Sequence, residues 1–250
     1  MDTKRINKRQ TLMIAHRGVS GLELENTNLA FVAAGNRSYF GIETDVHCTG
    51  DGDIIVFHDD TTKRLAEVDL PVEQTDFATL RALDLRSTDG NFVPAGMHMP
   101  TLEDYVSICK KYDKVCVLEL KNPMPEDVIR RIIDRIEALE YLDRVIFISF
   151  SFENLVYVRN YQPEQPVQYL IHRKKTAVPY LIGEYDTALF DQVEKHGFDV
   201  DVNFNILTKE AVELFHRRGI RVNCWTVDRV EDAERLVEWG VDYITTNILE

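Results

Sequence analysis

A chain of 250 residues, 44% hydrophobic and 28% charged, with 12 glycines and 8 prolines, excludes a disordered polymer and suits one sizeable α/β domain better than two. Its net charge of −13 excludes broad nucleic-acid or anionic-membrane binding, because either needs a basic face to release counterions or attract headgroups. The 4 cysteines are scattered with no CxxC pair, which predicts reduced thiols and a cytoplasmic location, and no apolar run approaches the ~18 residues of a membrane span.

In chain order, MDTKRINKRQ reads as a solvated tail over 1–10, and the apolar run after it is too short for a signal peptide. The remaining 11–250 reads as a single domain. Apolar runs of strand length follow at 11–15, 40–46, 53–57, 114–120, 144–149, 166–171, 199–203, 220–226 and 242–245. Segments of helical periodicity separate most of them. The clearest is 126–140, where Val128, Ile129, Ile132, Ile133, Ile136 and Leu139 share one face. Strand and helix in alternation predict a parallel sheet.

One junction breaks the alternation. Only Cys48 to Gly52 separates the second run from the third, whereas a parallel crossover needs about a dozen residues, so these two runs must form an antiparallel hairpin turning at Asp51-Gly52. That hairpin sets His58 across from Thr44 or Asp45. Setting its return arm aside leaves the strand count of a closed (β/α)8 TIM barrel. Residues 59–100 are of mixed polarity, with a helix near 76–83 and turn formers around Asp89-Gly90; they read as a cap-like insertion near the site. A further helix opens at Thr101 as N-cap.

Two residues apart on a strand, Glu43 and Asp45 point to the same face, as do Glu119 and Lys121 in VCVLELK. Carboxylates on the inner face of an apolar strand need a cation. Three of them make an all-oxygen site suited to one divalent cation, Mg2+ or Ca2+, rather than zinc; the alternative is an internal salt-bridge network with Arg17 and Lys121. His16 and His58 suit general acid and base work, since the free imidazole pKa of ~6.5 lies near working pH. Each could instead be a hydrogen-bonded packing residue. His47 shares the Glu43/Asp45 face and is expected no nearer than the rim; His98, His172, His196 and His216 read as surface or loop residues.

His16-Arg17-Gly18, Glu25-Asn26-Thr27, Glu43-x-Asp45, Thr49-x-Asp51-Gly52 and His58-Asp59 follow one another in that order. This succession resembles the glycerophosphodiester phosphodiesterase family, and the likeness continues at Pro100-Thr101-Leu102-Glu103, Trp225 and the closing VDYITTN. Leu24 stands where that family usually has a proline. The resemblance implies His16 and His58 as the catalytic pair and Glu43, Asp45 and Glu119 as metal ligands. Arg17 and Lys121 would hold the phosphate, Phe150 and Trp225 would line the pocket, and Glu25-Asn26-Thr27 would shape it. It further implies metal-dependent hydrolysis of small glycerophosphodiesters to sn-glycerol 3-phosphate and an alcohol. The alternatives are a lysophospholipase D or cyclising phosphodiesterase acting on lysolipids, or a silent barrel that binds phosphorylated ligands. The lipid-directed relatives carry a disulfide in the loop of the second histidine, and no cysteine lies between Thr49 and His58. Oligomeric state leaves no mark on the sequence.

Overall fold

The computed structural model describes residues 2–87, 93–94, 96–172 and 187–250. Its strands are β1 (Leu12–Ala15), β2 (Gly41–Cys48), β3 (Ile54–Val56), β4 (Val115–Leu120), β5 (Val145–Ser149), β6 (Val167–Ile171), β7 (Asp199–Asn203), β8 (Val222–Trp225) and β9 (Tyr243–Thr246). All but β3 run parallel in the order β1-β9-β8-β7-β6-β5-β4-β2, and β1 pairs again with β2, which closes the cylinder. β3 lies antiparallel on β2, with Val46 opposite Val56 and Cys48 opposite Ile54. The fold is a (β/α)8 barrel with an insertion after the hairpin that follows the second strand.

Around it lie α1 (Asn28–Gly35), α2 (Phe77–Arg81), α3 (Leu102–Lys111), α4 (Glu126–Ala138), α5 (Phe152–Tyr161), α6 (Thr187–His196), α7 (Lys209–Arg217) and α8 (Val230–Trp239). Helix α4 shows why they form. Val128, Ile129, Ile132, Ile133 and Ile136 recur at helical spacing and are buried against the barrel, each burial stabilising by about 1.5–3 kcal/mol. Its last turn ends at Ala138, with Leu139 as the C-cap rather than a further helical residue. Thr101 caps α3 as expected, accepting from the Asp104 N–H while the Asp104 carboxylate accepts from the Thr101 N–H, each at 3.0 Å.

Strand parity sorts the barrel's two faces. Val46, Leu118, Phe147, Val200, Val222 and Ile244 face outward into the layer beneath the helices, while Ile14, Val117, Ile148, Leu170 and Tyr243 fill the interior. The next inward positions towards the carboxyl ends of the strands are His16, Glu119, Lys121, Phe150 and His172. The polar groups therefore continue the rows of the apolar interior.

Within the insertion, α2 occupies the middle of the predicted 76–83 helix, capped by Asp76. Leu65, Val72, Leu80, Leu85 and Met99 pack with Ile55 and Phe57 of the hairpin into a small core of their own. Asp89-Gly90 lies outside the described residues. At the other end, the segment read as a solvated tail is mostly exposed yet tethered: Lys4 N–H donates to Ile248 O at 3.0 Å and Ile6 N–H to Glu250 O at 2.9 Å. Among the described residues no helix is long and apolar enough to cross a membrane.

Candidate active site

The carboxyl ends of the strands open into a cavity of about 400 Å³ lined by His16, Arg17, Glu43, His58, Glu119 and Lys121, with Phe150 and Trp225 on its far side. Asp45 lies directly behind that lining. His16, Arg17, Glu43, His58, Glu119, Lys121, Phe150 and Trp225 thus meet at one cavity of ligand-binding size, with Asp45 buried beside Arg17 and Lys121.

Leaving β1, the chain turns sharply at Arg17 (φ +53°) and Gly18 (φ +77°). A Cβ at Gly18 would stand 2.5 Å from the Ala30 carbonyl carbon, so only glycine passes beneath α1. The left-handed conformation at Arg17, which costs on the order of 1–3 kcal/mol, aims its backbone N–H at Glu43 Oε2, 2.8 Å away.

Glu43, Asp45 and Glu119 are buried, with one oxygen from each within 4.8 Å of the others. Two oxygens on opposite sides of an ion at ~2.4 Å would be about that far apart. Lys121 Nζ lies 2.8 Å from Glu119 Oε1 and 3.4 Å from Asp45 Oδ1, and Arg17 Nε is 3.4 Å from Asp45 Oδ2. Asn26 fixes Asp45 by donating to Oδ2 at 2.8 Å while accepting from the Thr44 hydroxyl. Two cations do not neutralise the trio. Burial and the neighbouring Asp45 push the Glu43 carboxyl well above the usual carboxylate range, and burial raises Glu119 despite Lys121. Burial acts the same way on Asp45, but Lys121 and Arg17 outweigh it and hold the group ionised. An all-carboxylate set with two members pushed towards their neutral forms fits a hard divalent cation. Among the described residues Arg17 Nε makes no hydrogen bond and has Asp45 as its charge partner.

The two histidines have unlike partners. His16 Nδ1 lies 2.7 Å from Asn247 Oδ1, and the Asn247 amide donates to Asp228 Oδ2 at 2.6 Å. That fixes Asn247 Oδ1 as an acceptor, so His16 carries its proton on Nδ1 and leaves Nε2 as a bare lone pair. Burial, then the Arg17 charge, lowers the His16 pKa to about 4. His58, 31% exposed, instead places Nδ1 2.6 Å from Asp59 Oδ1. Burial would raise Asp59, but its bonds to His58 and Arg64 prevail and keep it ionised.

Several supports escaped the sequence reading. Arg64, from the insertion, binds Asp59 through Nε at 2.7 Å and Glu25 through Nη1 and Nη2, each at 2.7 Å; Glu25 in turn holds Arg17 Nη1 at 2.7 Å. His47 is fully buried and misses the cavity. Its Nδ1 meets Glu73 Oε1 at 2.9 Å and its Nε2 the His58 carbonyl at 3.2 Å, so it braces the segment that carries His58. His172, read as a surface or loop residue, instead lines the cavity and stacks on Trp225 with ring centres 5.6 Å apart. It is the next inward position after Leu170, a signal available from parity. His98, His196 and His216 lie away from the cavity.

The model of the glycerophosphoryl diester phosphodiesterase family matches residues 16–250. A glycerophosphodiester phosphodiesterase of Caldanaerobacter subterraneus subsp. tengcongensis is 32% identical over 241 residues, covering 95% of this chain and 94% of the relative. Among solved structures, a glycerophosphodiester phosphodiesterase from Parabacteroides distasonis superposes with a TM-score of 0.76 at 25% identity, covering 95% of this chain and 93% of that one. An Oleispira antarctica phosphodiesterase, solved with the product sn-glycerol-3-phosphate, shares the fold with a TM-score of 0.78 at 23% identity over 98% of this chain and 96% of that one.

Proposed function

This chain belongs to the glycerophosphoryl diester phosphodiesterase family and is an enzyme of it, a phosphoric diester hydrolase, and from that premise we propose that it splits glycerophosphodiesters into sn-glycerol 3-phosphate and an alcohol. His16 and His58 act as base and acid, and Glu43, Asp45 and Glu119 hold a divalent cation, Mg2+ or Ca2+. The observation that carries the assignment is the pairing of His16 with a neutral amide and of His58 with a carboxylate across one cavity. A free thiol at every cysteine supports the cytoplasmic location.

His16 is neutral at working pH with Nε2 unprotonated, as a base requires; it takes the proton from the attacking oxygen, either water or the glycerol 2-hydroxyl. His58, whose Nδ1 lies 2.6 Å from the ionised Asp59 carboxylate, gives a proton to the departing alkoxide. Arg17 and Lys121 hold the non-bridging oxygens. A cation among the three carboxylates supplies further positive charge where the transition state gathers negative charge. Phe150 and Trp225 pack against the carbon skeleton of the substrate and exclude water from that side.

The test is release of glycerol 3-phosphate from glycerophosphoethanolamine, glycerophosphocholine and a lysolipid, with Mg2+, Ca2+ or chelator. Turnover of the small diesters that needs a cation supports the reading, and turnover that survives chelation sinks it. The same assay across pH reports the base. A His16 pKa near 4 means the acid-side fall in kcat/KM comes near pH 4, since only below that is the base protonated. A fall centred between about 6 and 7, where an ordinary imidazole titrates, would reject His16 in this role.

Arg64 gives a second expectation. It joins the Asp59–His58 arm to the Glu25–Arg17 arm, so Arg64→Met is expected to lower kcat/KM by roughly 10- to 100-fold, the effect of losing bidentate charge-assisted bonds. Arg64→Lys should recover only part, because a point charge cannot bridge two carboxylates with a planar fork. Steady-state kinetics on both variants decides this, and a loss under about twofold for Arg64→Met would leave the two arms independent.

A further inference from the structure

Ile148, Phe150, Leu170, His172, Asp201 and Trp225, on or just past β5 to β8, line one side of the cavity, a largely apolar and aromatic surface with a single acid in it. Asp201 is 1% exposed, and among the described residues its Oδ1 has no hydrogen-bond partner. Strand pairing fixes it there, on the inward row of β7 between Leu170 of β6 and Asn223 of β8. The nearby donors are committed elsewhere. The Asn223 amide donates to Gln168 Oε1, the Thr245 hydroxyl to Asn223 Oδ1, and Trp225 Nε1 to the Asp201 backbone carbonyl rather than its carboxyl. The other buried cavity acids all have donors: Glu43 the Arg17 N–H, and Glu119 the Lys121 ammonium. A buried carboxyl without a donor destabilises the fold, so its presence in a cavity wall points to a ligand that completes it.

Building on the diesterase reading above, we infer that Asp201 is a specificity residue that receives a primary ammonium group carried by the substrate's alcohol, which lies against Trp225 and Phe150. Three features of this wall select that group. The unfilled acceptor needs an N–H or O–H donor, which a quaternary ammonium lacks. The acid has no counter-ion among the described residues, and burial with Glu119 nearby pushes its carboxyl well above the usual range, so only a cationic donor gains by drawing it to the ionised form, which a polyol cannot do. The aromatic pair Trp225 and Phe150, set edge to face with His172 stacked on one side of Trp225, presents π-electron density that attracts a cation. Among an ethanolamine, a choline and a polyol, only the primary ammonium of ethanolamine meets all three.

The test compares kcat/KM for glycerophosphoethanolamine, glycerophosphocholine and glycerophosphoglycerol in the cation-loaded wild type and in Asp201→Asn, with Asp201→Leu as a second variant should the first fail to fold. The wild type is expected to favour glycerophosphoethanolamine, and Asp201→Asn to reduce its preference over glycerophosphoglycerol by about 10- to 100-fold, the worth of a hydrogen bond to a charged group. Calorimetric binding of phosphoethanolamine is expected to weaken by a similar factor, whether or not any diester is turned over. Asp201→Asn should also melt no lower than the wild type, because it replaces an unpaired acid with an amide. An unchanged preference with unchanged phosphoethanolamine affinity overturns the inference, as does an equal loss on all three diesters, which would mean that Asp201 reads the shared glycerol. Failure of every diester to turn over, with phosphoethanolamine binding intact and dependent on Asp201, would instead reject the diesterase reading alone.

Discussion

His16→Ala is expected to lower kcat/KM on a glycerophosphodiester by about 10²- to 10⁴-fold, the range of a positioned general base, with most of the loss in kcat. His58→Ala should cost as much on a natural substrate, so the single variants cannot say which residue is the base. The leaving group can. A diester whose alcohol is p-nitrophenol departs as a stable phenolate and needs no proton. His58→Ala should therefore recover most of its activity on that substrate, while His16→Ala should stay slow because the attacking oxygen still has to be deprotonated. Nothing in the scaffold should confound the comparison, since Asn247 keeps its bonds to Asp228 through both side-chain and backbone donors when His16 is shortened. Recovery of His16→Ala in place of His58→Ala would reverse the assignment drawn from their partners.

What could be read from the chain was whatever period and spacing determine locally. The two-residue period puts Glu43 and Asp45 on one face, and the same rule places Glu119 and Lys121 beside them because β4 is the parallel neighbour of β2, with Asp45 opposite Glu119. The short link between two apolar runs forced the hairpin that delivers His58. The same period, carried further, would have found His172. Asp201 was harder, because DVDVN alternates acid and valine as a solvated strand does, and only closure of the barrel turns its acidic face inward. Arg64 and its contacts were out of reach for another reason, although Glu25 and Asp59 themselves stand in the motifs. Arg64, Glu25 and Asp59 meet across 39 residues of sequence separation, and His47 turns from the cavity to Glu73 of the insertion. Contacts made between an insertion and a barrel rim have no period to betray them. The tether of Lys4 and Ile6 to the chain's last residues is likewise a pairing of backbone groups, which any side chains would permit.

Glu43→Gln is expected to move activity and stability in different directions. The amide keeps the acceptor that the Arg17 N–H uses and the shape of the side chain, but takes one charge from a trio in which burial and Asp45 already resist the ionised form. Without cation the variant should melt at or above the wild type. The sign follows from linkage: a carboxyl raised above its ordinary 4.5 is a growing penalty on the folded state as pH climbs past that value, and glutamine carries no such penalty, so the advantage of the variant should widen with pH. Added Mg2+ or Ca2+ should reverse the order. A cation at about 100 times its Kd stabilises the wild type by roughly 2.7 kcal/mol, about 5–11 °C in a protein of this size, and the variant should gain little of it. Its kcat/KM should fall by about 10²-fold or more, since a metal's charge contributes several kcal/mol to the transition state. Thermal melts with and without cation, beside the diester assay, separate this from the rival account in which the trio is only an ion-pair network with Arg17 and Lys121. In that account Glu43→Gln lowers the melting temperature without cation, and Mg2+ or Ca2+ leaves both proteins where they were.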